Sequence, residues 1–386
     1  MEIFLTGVTG FLGGEILILL SKKKEIKKIY CLIRAKNEEE GYLRLEHVFE
    51  LHGDHFDKNK VFPIIGNLSD TTLSNELINN NRLQNINLII HAAANTSFGR
   101  MYDDLVQTVN IGGLNHILQW VSHLKKLETF VYVGTATICG KQVTNRVVFE
   151  DESPNINAAH LVKYSYTKMM GEINVRKVIP EDKLLIVRPS IIMGDSRPII
   201  PRSNVILWAL ATLNLIRLIP VNPYSDLDII PVDFASESIV KLIFGKRNHN
   251  TYHISSGTES KTNTLLVTNQ IANYFPEKPP FKFLNHEFIS QMKDWARNRI
   301  KPGNTLSDYN EYLDYWKQTF EEKSNLRILF AGLEPYLNFI ELGQIFDNSR
   351  LINDTGIAYP EPAHEYVKRS ISYLKNIDVF EGAIDP

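Results

Sequence analysis

The sequence is poor in cysteine, in net charge and in long apolar runs, and each shortage excludes a class of protein. It has two cysteines among 386 residues, Cys31 and Cys139. Both stand in apolar runs, so reduced core thiols are expected rather than a disulfide, as in a cytoplasmic protein. Lys plus Arg number 42 against 44 Asp plus Glu, a net charge of −2 with no basic stripe. We therefore expect no nucleic-acid partner.

Membrane insertion and secretion are not expected either. The longest apolar stretch, residues 205–216, is shorter than the roughly 20 residues of a transmembrane helix. Glu2 and the glycines that follow interrupt the pattern of a signal peptide. A composition of 44% hydrophobic and 22% charged residues fits a globular protein with a large core.

What the chain does have is a glycine-rich turn between an apolar run at residues 3–5 and a helix-like run at residues 15–20. Gly7, Gly10 and Gly13 allow a tight turn, a close backbone approach to a pyrophosphate and close packing of helix on strand. The N–H groups at the helix start then face the anion. This order of strand, turn and helix predicts an α/β dinucleotide-binding fold.

Arg34 indicates which dinucleotide is bound. It follows the apolar run at residues 28–33 and lies roughly 20 residues beyond Gly13. An acidic residue at this position favours NAD, whereas an Arg accommodates the 2′-phosphate of NADP. A solvated surface Arg is the alternative interpretation. We predict NADP(H) as the cofactor, with Arg44 on the following helix as a second partner of the phosphate.

Three further apolar runs, at residues 61–65, 87–91 and 128–134, are expected to be strands of the same sheet. Thr135 follows the last of them. A hydroxyl at the carboxyl end of a parallel strand lies at the crevice where ligands bind. Taken alone, Thr135 is better explained as a β-branched residue whose hydroxyl is satisfied within the fold.

Tyr164 and Lys168 are spaced four residues apart, so on a helix they project from one face. A phenol is a poor acid at neutral pH, but a neighbouring ammonium favours the phenolate and is expected to lower its pKa. The pair is common by chance, yet uncommon after a glycine turn and a strand-end Thr. We therefore predict an acid–base pair.

Together these motifs resemble the extended short-chain dehydrogenase/reductase superfamily over roughly residues 1–257. The resemblance implies a Rossmann-type doubly wound parallel sheet that binds NADP at 1–257, with substrate-lobe insertions around 195–230, and a smaller, mostly α-helical substrate lobe at 258–386. Four stretches are more similar to the thioester reductase and fatty acyl-CoA reductase branch than to sugar-nucleotide epimerases: residues 7–13, 32–35, 187–195 and 230–235.

The resemblance also implies roles for single residues. Tyr164 would donate the proton, Lys168 would bind the nicotinamide ribose and support Tyr164, and Thr135 would hydrogen-bond the substrate oxygen. No metal is implied. The remaining predicted cofactor contacts, from pyrophosphate and 2′-phosphate to adenosine and nicotinamide, are Gly7, Thr9, Gly10, Phe11, Leu12, Arg34, Arg44, Leu68, Ala92, Ala93, Ala94, Pro189, Ser190, Ile191 and Ile192.

Two groups of residues outside these motifs carry weaker expectations. Trp208, Leu213 and Leu215 would line an acyl tunnel in the resembled family, with plain helix packing as the alternative. Asn110 is expected to brace the central strands, and Asp233 is expected to cap the helix that follows it.

The predicted reaction is NADPH-dependent reduction of an acyl thioester, held by coenzyme A or an acyl carrier protein, to an aldehyde and after a second hydride transfer to an alcohol. The alternatives are an alcohol or ketone dehydrogenase of hydroxysteroid or dihydroflavonol type, or a sugar-nucleotide epimerase, which usually holds NAD and is disfavoured by Arg34. A non-catalytic nucleotide-sensing module would typically lack the intact Tyr164 and Lys168. Acyl chain length and oligomeric state stay open.

Overall fold

The computed structural model describes residues 1–197, 205–299, 303–320 and 323–380. At its centre is a seven-stranded sheet in which every neighbouring pair is parallel. In spatial order the strands run β3-β2-β1-β4-β5-β6-β7. Their bounds are β1 Glu2–Thr6, β2 Lys28–Ile33, β3 Val61–Ile65, β4 Leu88–His91, β5 Thr129–Val133, β6 Leu184–Pro189 and β7 Thr251–Ile254. This order confirms the predicted doubly wound Rossmann-type sheet.

Helices cover both faces of the sheet, and further helices form a separate lobe beside it. Within the described ranges, none of them is both long and apolar enough to cross a membrane. The α-helices are α1 Phe11–Ser21, α2 Glu38–Leu51, α3 Leu73–Ile78, α4 Asp103–Gln107, α5 Leu114–Val121, α6 Lys163–Val178, α7 Val205–Ile216, α8 Val232–Phe244, α9 Thr264–Tyr274, α10 Phe288–Ala296, α11 Asn310–Thr319, α12 Lys323–Leu342, α13 Ser349–Thr355 and α14 Ala363–Tyr366.

The alternation of side chains along each strand separates two cores. On β1, Ile3 and Leu5 belong to the buried cluster that includes apolar residues of α1 and α8. Phe4, between them, belongs to the opposite cluster, which α3, α5 and α6 complete. Because successive strand residues point to opposite faces, a strand with both faces covered must be apolar throughout.

The periodicity of residues 103–124 predicts a helix, and the structure shows an irregularity within that stretch. A π-helical turn, Thr108–Gly113, joins α4 to α5 and holds Asn110 in a buried position. Asp233 is also placed differently from the prediction. It lies inside the first turn of α8, after the N-cap Pro231, and its carboxylate accepts hydrogen bonds from the backbone and hydroxyl of Ser196.

The C-terminal half forms a helical lobe with its own core, in which Trp208, Trp316 and Phe330 are fully buried. The chain then returns to the sheet: Ile345–Phe346 pairs in parallel with Val147–Val148, and Leu351 of α13 joins the cluster beneath β1. Residues 345–355 therefore pack with the sheet, although the sequence analysis assigned them to the lobe. The boundary at residue 257 stays a prediction.

The two cysteines are free thiols, Cys31 buried and Cys139 half-buried. Burial raises the pKa of the Cys139 thiol to about 12. Both are therefore neutral core groups, as expected. The sequence also predicts a proline-rich loop at residues 198–202, which lies outside the described residues.

Candidate active site

A cavity of about 1040 Å³ opens at the carboxyl ends of the parallel strands. All eighteen residues that the sequence analysis assigned to cofactor binding or catalysis line it. Its volume is at the upper end of ordinary ligand sites, which run to about 1000 Å³. The predicted residues therefore line one continuous cavity, and the structure adds the residues that form its far wall.

The glycine turn is packed so tightly that no side chain can be accommodated at Gly7 or Gly13. Gly7 has φ of +81°, and a Cβ there would lie 2.7 Å from the backbone nitrogen of Ala93. A Cβ on Gly13 would lie 2.0 Å from the carbonyl oxygen of Gly7. The amide of Gly10 donates to that same carbonyl at 3.0 Å, and α1 begins at the next residue, Phe11.

This turn fits the diphosphate of a dinucleotide. Gly10, at the N-cap of α1, has no side chain to cover the helix end, and Phe11 and Leu12 of the first turn line the cavity. The first N–H groups of a helix have no partners within it and attract an anion. Exposed Arg34 follows β2, and the guanidinium of Arg44 donates to its carbonyl oxygen. Both line the same cavity.

The acid–base residues come from β5 and α6. Helix α6 starts at Lys163, which places Tyr164 in its first turn and Lys168 one turn further on the same face. The Thr135 hydroxyl lies 3.2 Å from the Thr137 hydroxyl and 3.4 Å from the Pro189 carbonyl oxygen, and it is near enough to Tyr164 to lower the pKa of that phenol. The Lys168 ammonium nitrogen donates to the carbonyl oxygen of Val133 at 2.5 Å and lies 4.9 Å from the ring centroid of Tyr132. The structure thus brings the three predicted catalytic residues together.

Their pKa values differ from the expectation. Burial raises the pKa of Tyr164 to about 12, and the nearby Thr135 hydroxyl acts in the opposite direction. Burial lowers the pKa of Lys168 to about 7, so half of its charge is lost at neutral pH. The prediction that the ammonium lowers the pKa of this phenol is therefore wrong for the protein alone. Desolvation is the largest cause of both shifts.

His91, at the end of β4, supports this site and was not predicted. Its Nδ1 lies 3.1 Å from the Thr6 hydroxyl oxygen, which also accepts the amide of Ala93 at 3.1 Å. Its ring stacks on Tyr132 with 6.3 Å between centroids. Burial, together with the charge of Lys168, lowers the pKa of His91 to about 3, so the imidazole is neutral. His91 thereby links Thr6 and the loop after β4 to Tyr132, whose ring lies against Lys168.

Asn110 braces a loop and a helix rather than the central strands. Its side-chain oxygen accepts the amide of Asn95 at 2.7 Å, and its amide donates to the Asn95 carbonyl and to the Thr167 hydroxyl, both at 3.0 Å. The π-helical turn directs this side chain toward both partners. It fixes the loop after β4 against α6, where Tyr164 and Lys168 stand.

Residues 5–239 match the model of an NAD-binding family described as Male sterility protein. The chain belongs to this family. It is 30% identical over 314 residues to a component of the linear gramicidin synthase of Brevibacillus parabrevis, covering 78% of the chain and 6% of that protein. It is 27% identical over 330 residues to fatty acyl-CoA reductase 2 of Mus musculus, covering 73% of the chain and 62% of that protein.

The chain thus spans less than two thirds of the length of either relative. Among solved structures, the terminal R domain of the myxalamid PKS-NRPS pathway superposes with a TM-score of 0.70 at 20% identity, covering 97% of this chain and 90% of that one. UDP-glucuronic acid 4-epimerase of Bacillus cereus, in complex with NAD, gives 0.62 at 17% identity, with 97% and 99% covered. These likenesses establish the fold, and membership of an NAD-binding family indicates a nicotinamide cofactor.

In this member of the male sterility protein family, the cavity continues from Tyr164 into the helical lobe. Of the three predicted tunnel residues, Leu213 alone lines it. Trp208 is buried one turn earlier and donates its indole N–H to the Val379 carbonyl at 2.5 Å. Leu215 packs in the lobe core. Ala209 and Leu210 of α7 line the cavity together with Leu213.

The opposite wall comes from α12, which the sequence analysis did not predict. Five of its residues line the cavity, and most are apolar. The repeat of Leu329, Leu333 and Leu337 every four residues is the signal that could have revealed this helix. The described lobe residues lining the cavity are Ala209, Leu210, Leu213, Leu227, Ile229, Thr264, Val267, Thr268, Leu333, Tyr336, Leu337, Phe339 and Ile340.

Proposed function

We propose that this chain reduces an acyl thioester with NADPH. The observation that carries the proposal is the continuity of one cavity, which runs from the glycine turn past Tyr164 and Thr135 into an apolar chamber between α7 and α12. Such a chamber suits an acyl chain, because its walls offer apolar contact along their length. The relatives named fatty acyl-CoA reductase and linear gramicidin synthase support this choice.

The protein side of the reaction follows from the positions of three residues. When bound, the nicotinamide cofactor supplies the hydride that attacks the thioester carbonyl carbon. Tyr164 and Thr135 donate hydrogen bonds to the carbonyl oxygen as it gains charge, and Tyr164 gives up its proton there. Lys168, charged beside the anionic cofactor, stabilises the phenolate that remains. Collapse of the thiohemiacetal returns its hydroxyl proton to Tyr164, forms the aldehyde and expels a thiolate, which takes up a proton from solvent.

We assign the cofactor as NADP(H) rather than NAD(H). Arg34 and Arg44 line the cavity beyond β2, where the adenosine side of a dinucleotide lies in this fold. The hydrogen bond from Arg44 to the backbone of Arg34 holds the two cations together. Two guanidinium groups suit a dianionic phosphate and give a bare ribose hydroxyl no comparable partner. This pair also disfavours an epimerase.

The test of the function is NADPH oxidation against a panel of acyl-CoA thioesters, ketones and a UDP-sugar, with products identified by mass spectrometry. Formation of an aldehyde or alcohol from a thioester supports the proposal. The same assay with an acyl carrier protein as the acyl donor tests the alternative to coenzyme A. Turnover of a ketone with no thioester turnover would contradict it. The cytoplasmic location stays a prediction.

The variant Tyr164→Phe is expected to lower turnover about 10²- to 10⁴-fold, because the general acid is lost. Its NADPH affinity should stay within about twofold, since the ring and its packing against Phe98 at 6.1 Å are retained. Tyr166→Phe, two residues along the same helix, is the matched control and should keep full activity. Normal turnover by Tyr164→Phe would remove this residue from its proposed role.

A further inference from the structure

The apolar chamber in the lobe contains three residues with hydroxyl groups: Thr264, Thr268 and Tyr336. The hydroxyl of Thr268 donates to the Thr264 carbonyl at 2.8 Å, within its own helix. The hydroxyl oxygen of Thr264 is enclosed and shielded from the cavity space. Among the described lobe residues that line the chamber, Tyr336 therefore carries the hydroxyl available to a ligand.

Tyr336 stands between the catalytic residues and the chamber. Its ring lies 5.2 Å from that of Phe98, whose other neighbour is Tyr164 at 6.1 Å. On the other side it lies 5.6 Å from Trp208 of α7. These ring contacts fix the phenol in one orientation. The ring of Phe98 therefore lies in contact with the rings of both Tyr336 and Tyr164.

The hydroxyl of Tyr336 has no hydrogen-bond partner among the described residues, and it is not among the enclosed polar atoms. Burial raises its pKa to about 12, so it keeps its proton at neutral pH and can donate. A half-buried donor without a partner is costly, because it has lost part of its hydration. An acceptor on the ligand would remove that cost.

We propose that Tyr336 determines specificity by donating a hydrogen bond to an oxygen on the acyl group, close to the thioester. The preferred substrates are then acyl thioesters that carry a hydroxyl, oxo or amide oxygen near the reacting carbonyl, rather than unsubstituted acyl chains. This assignment rests on the proposed function. It deepens that function by naming the chemical class of the acyl group.

The experiment compares two thioether analogues of an acyl-CoA, of equal chain length, one with a 3-oxo group and one without. Binding to the wild type and to Tyr336→Phe is measured by calorimetry with NADP⁺ present. The variant should bind the oxo analogue about 3- to 10-fold more weakly, the effect of one neutral hydrogen bond. Its affinity for the unsubstituted analogue should change less than about twofold, because the ring remains.

Turnover gives a second readout. With a 3-oxoacyl thioester, Tyr336→Phe should raise KM by the same factor and leave kcat within about twofold, because the contact is made equally before and during reaction. Tyr274→Phe, an exposed tyrosine on α9, is the matched control and should change neither constant. The distinction between KM and kcat separates a binding role from a catalytic one.

Equal loss of affinity for both analogues would overturn the assignment, since it would reduce Tyr336 to a packing residue. No loss for either analogue would overturn it as well. If the wild type reduces no thioester at all, the proposed function fails, and the two analogues still decide the role of Tyr336 in binding. The failures of the two proposals are thus distinguishable.

Discussion

Tyr164 and Lys168 occupy a part of the cavity where desolvation disfavours charge on both. The pKa of the phenol lies at about 12 and that of the amine at about 7. A dinucleotide diphosphate near the start of α1 would favour the ammonium, as any nearby anion does. On the proposed mechanism, an anionic cofactor bound in this cavity would favour the charged form of Lys168, and the charged Lys168 would then favour loss of the proton from Tyr164. The spacing of Tyr164 and Lys168 predicts that they share a helix face, but it does not predict how deeply they are buried.

At the same scale, Arg34→Ala tests the choice of cofactor. Its NADPH affinity should fall by about 1–3 kcal/mol, the range of a charge-assisted hydrogen bond. Its NADH affinity should stay within about twofold, because NADH has no 2′-phosphate. Fluorescence titration of both cofactors measures the difference.

The matched control for Arg34→Ala is Arg82→Ala. Arg82 is paired with Glu38 at 3.0 Å and does not line the cavity. This control should leave both affinities unchanged. Equal losses for NADPH and NADH in Arg34→Ala would contradict the phosphate assignment.

At the scale of helices and strands, the sequence predicts most of the first 190 residues and less of the lobe. The bounds of β2 and β3 are confirmed, because buried parallel strands are short continuous apolar runs. The apolar pattern of residues 264–274 predicts a helix, and α9 confirms it. Helix α12 is missed, since Pro335 interrupts the pattern and normally ends a helix. Which lobe residues line the cavity depends on how helices pack, and spacing alone does not define it.

Helix α6 carries Tyr164 and Lys168, the two residues of the proposed acid–base pair, and its distance from β5 is set by Gly171. A Cβ on Gly171 would lie 2.2 Å from the hydroxyl oxygen of Tyr132. That hydroxyl donates to the Lys168 carbonyl at 3.1 Å, so it cannot move away without breaking this contact. Gly171→Ala should therefore lower the free energy of unfolding by about 1–3 kcal/mol, the range of overpacking, despite the better helix propensity of Ala.

Chemical denaturation measures this change, and kcat should fall with it because Tyr164 moves with the helix. Gly112→Ala is the matched control, since a Cβ at Gly112 meets nothing within 4 Å. It should leave stability unchanged or slightly raised. A Gly171→Ala variant as stable as Gly112→Ala would show that the packing of α6 on β5 can relax.

At the scale of the whole molecule, buried titratable groups shift stability with pH in opposite directions. Burial raises the pKa of Glu150 to about 8 and that of Asp228 to about 6. Both groups hold protons that the unfolded chain has released, so their contribution is lost as the pH rises through these values. His91 and His253 have pKa values of about 3 and act in the other direction. Between pH 5 and 6.5 a rise in pH lowers the stability contributed by Glu150 and Asp228 but raises the stability contributed by His91 and His253.

The variant His253→Asn is expected to remove the contribution of His253 to this pH dependence of stability. Burial, and then the charge of Arg188, lowers the pKa of His253 from its ordinary 6.5 to about 3. Below pH 6.5 the unfolded chain binds a proton at this histidine, whereas the folded protein does not. The stability contributed by His253 is therefore present above pH 6.5 and lost as the pH falls.

The asparagine amide can still donate to the Asp347 carbonyl, which lies 3.0 Å from Nδ1 of His253. The wild type should therefore lose about 1.4 kcal/mol per pH unit relative to the variant between pH 6.5 and 5, measured by urea unfolding at each pH. The exposed His47→Asn serves as the control and should give a curve parallel to the wild type. Parallel curves for His253→Asn would mean that the folded protein admits a proton at this strand, and that the sheet opens there below neutral pH.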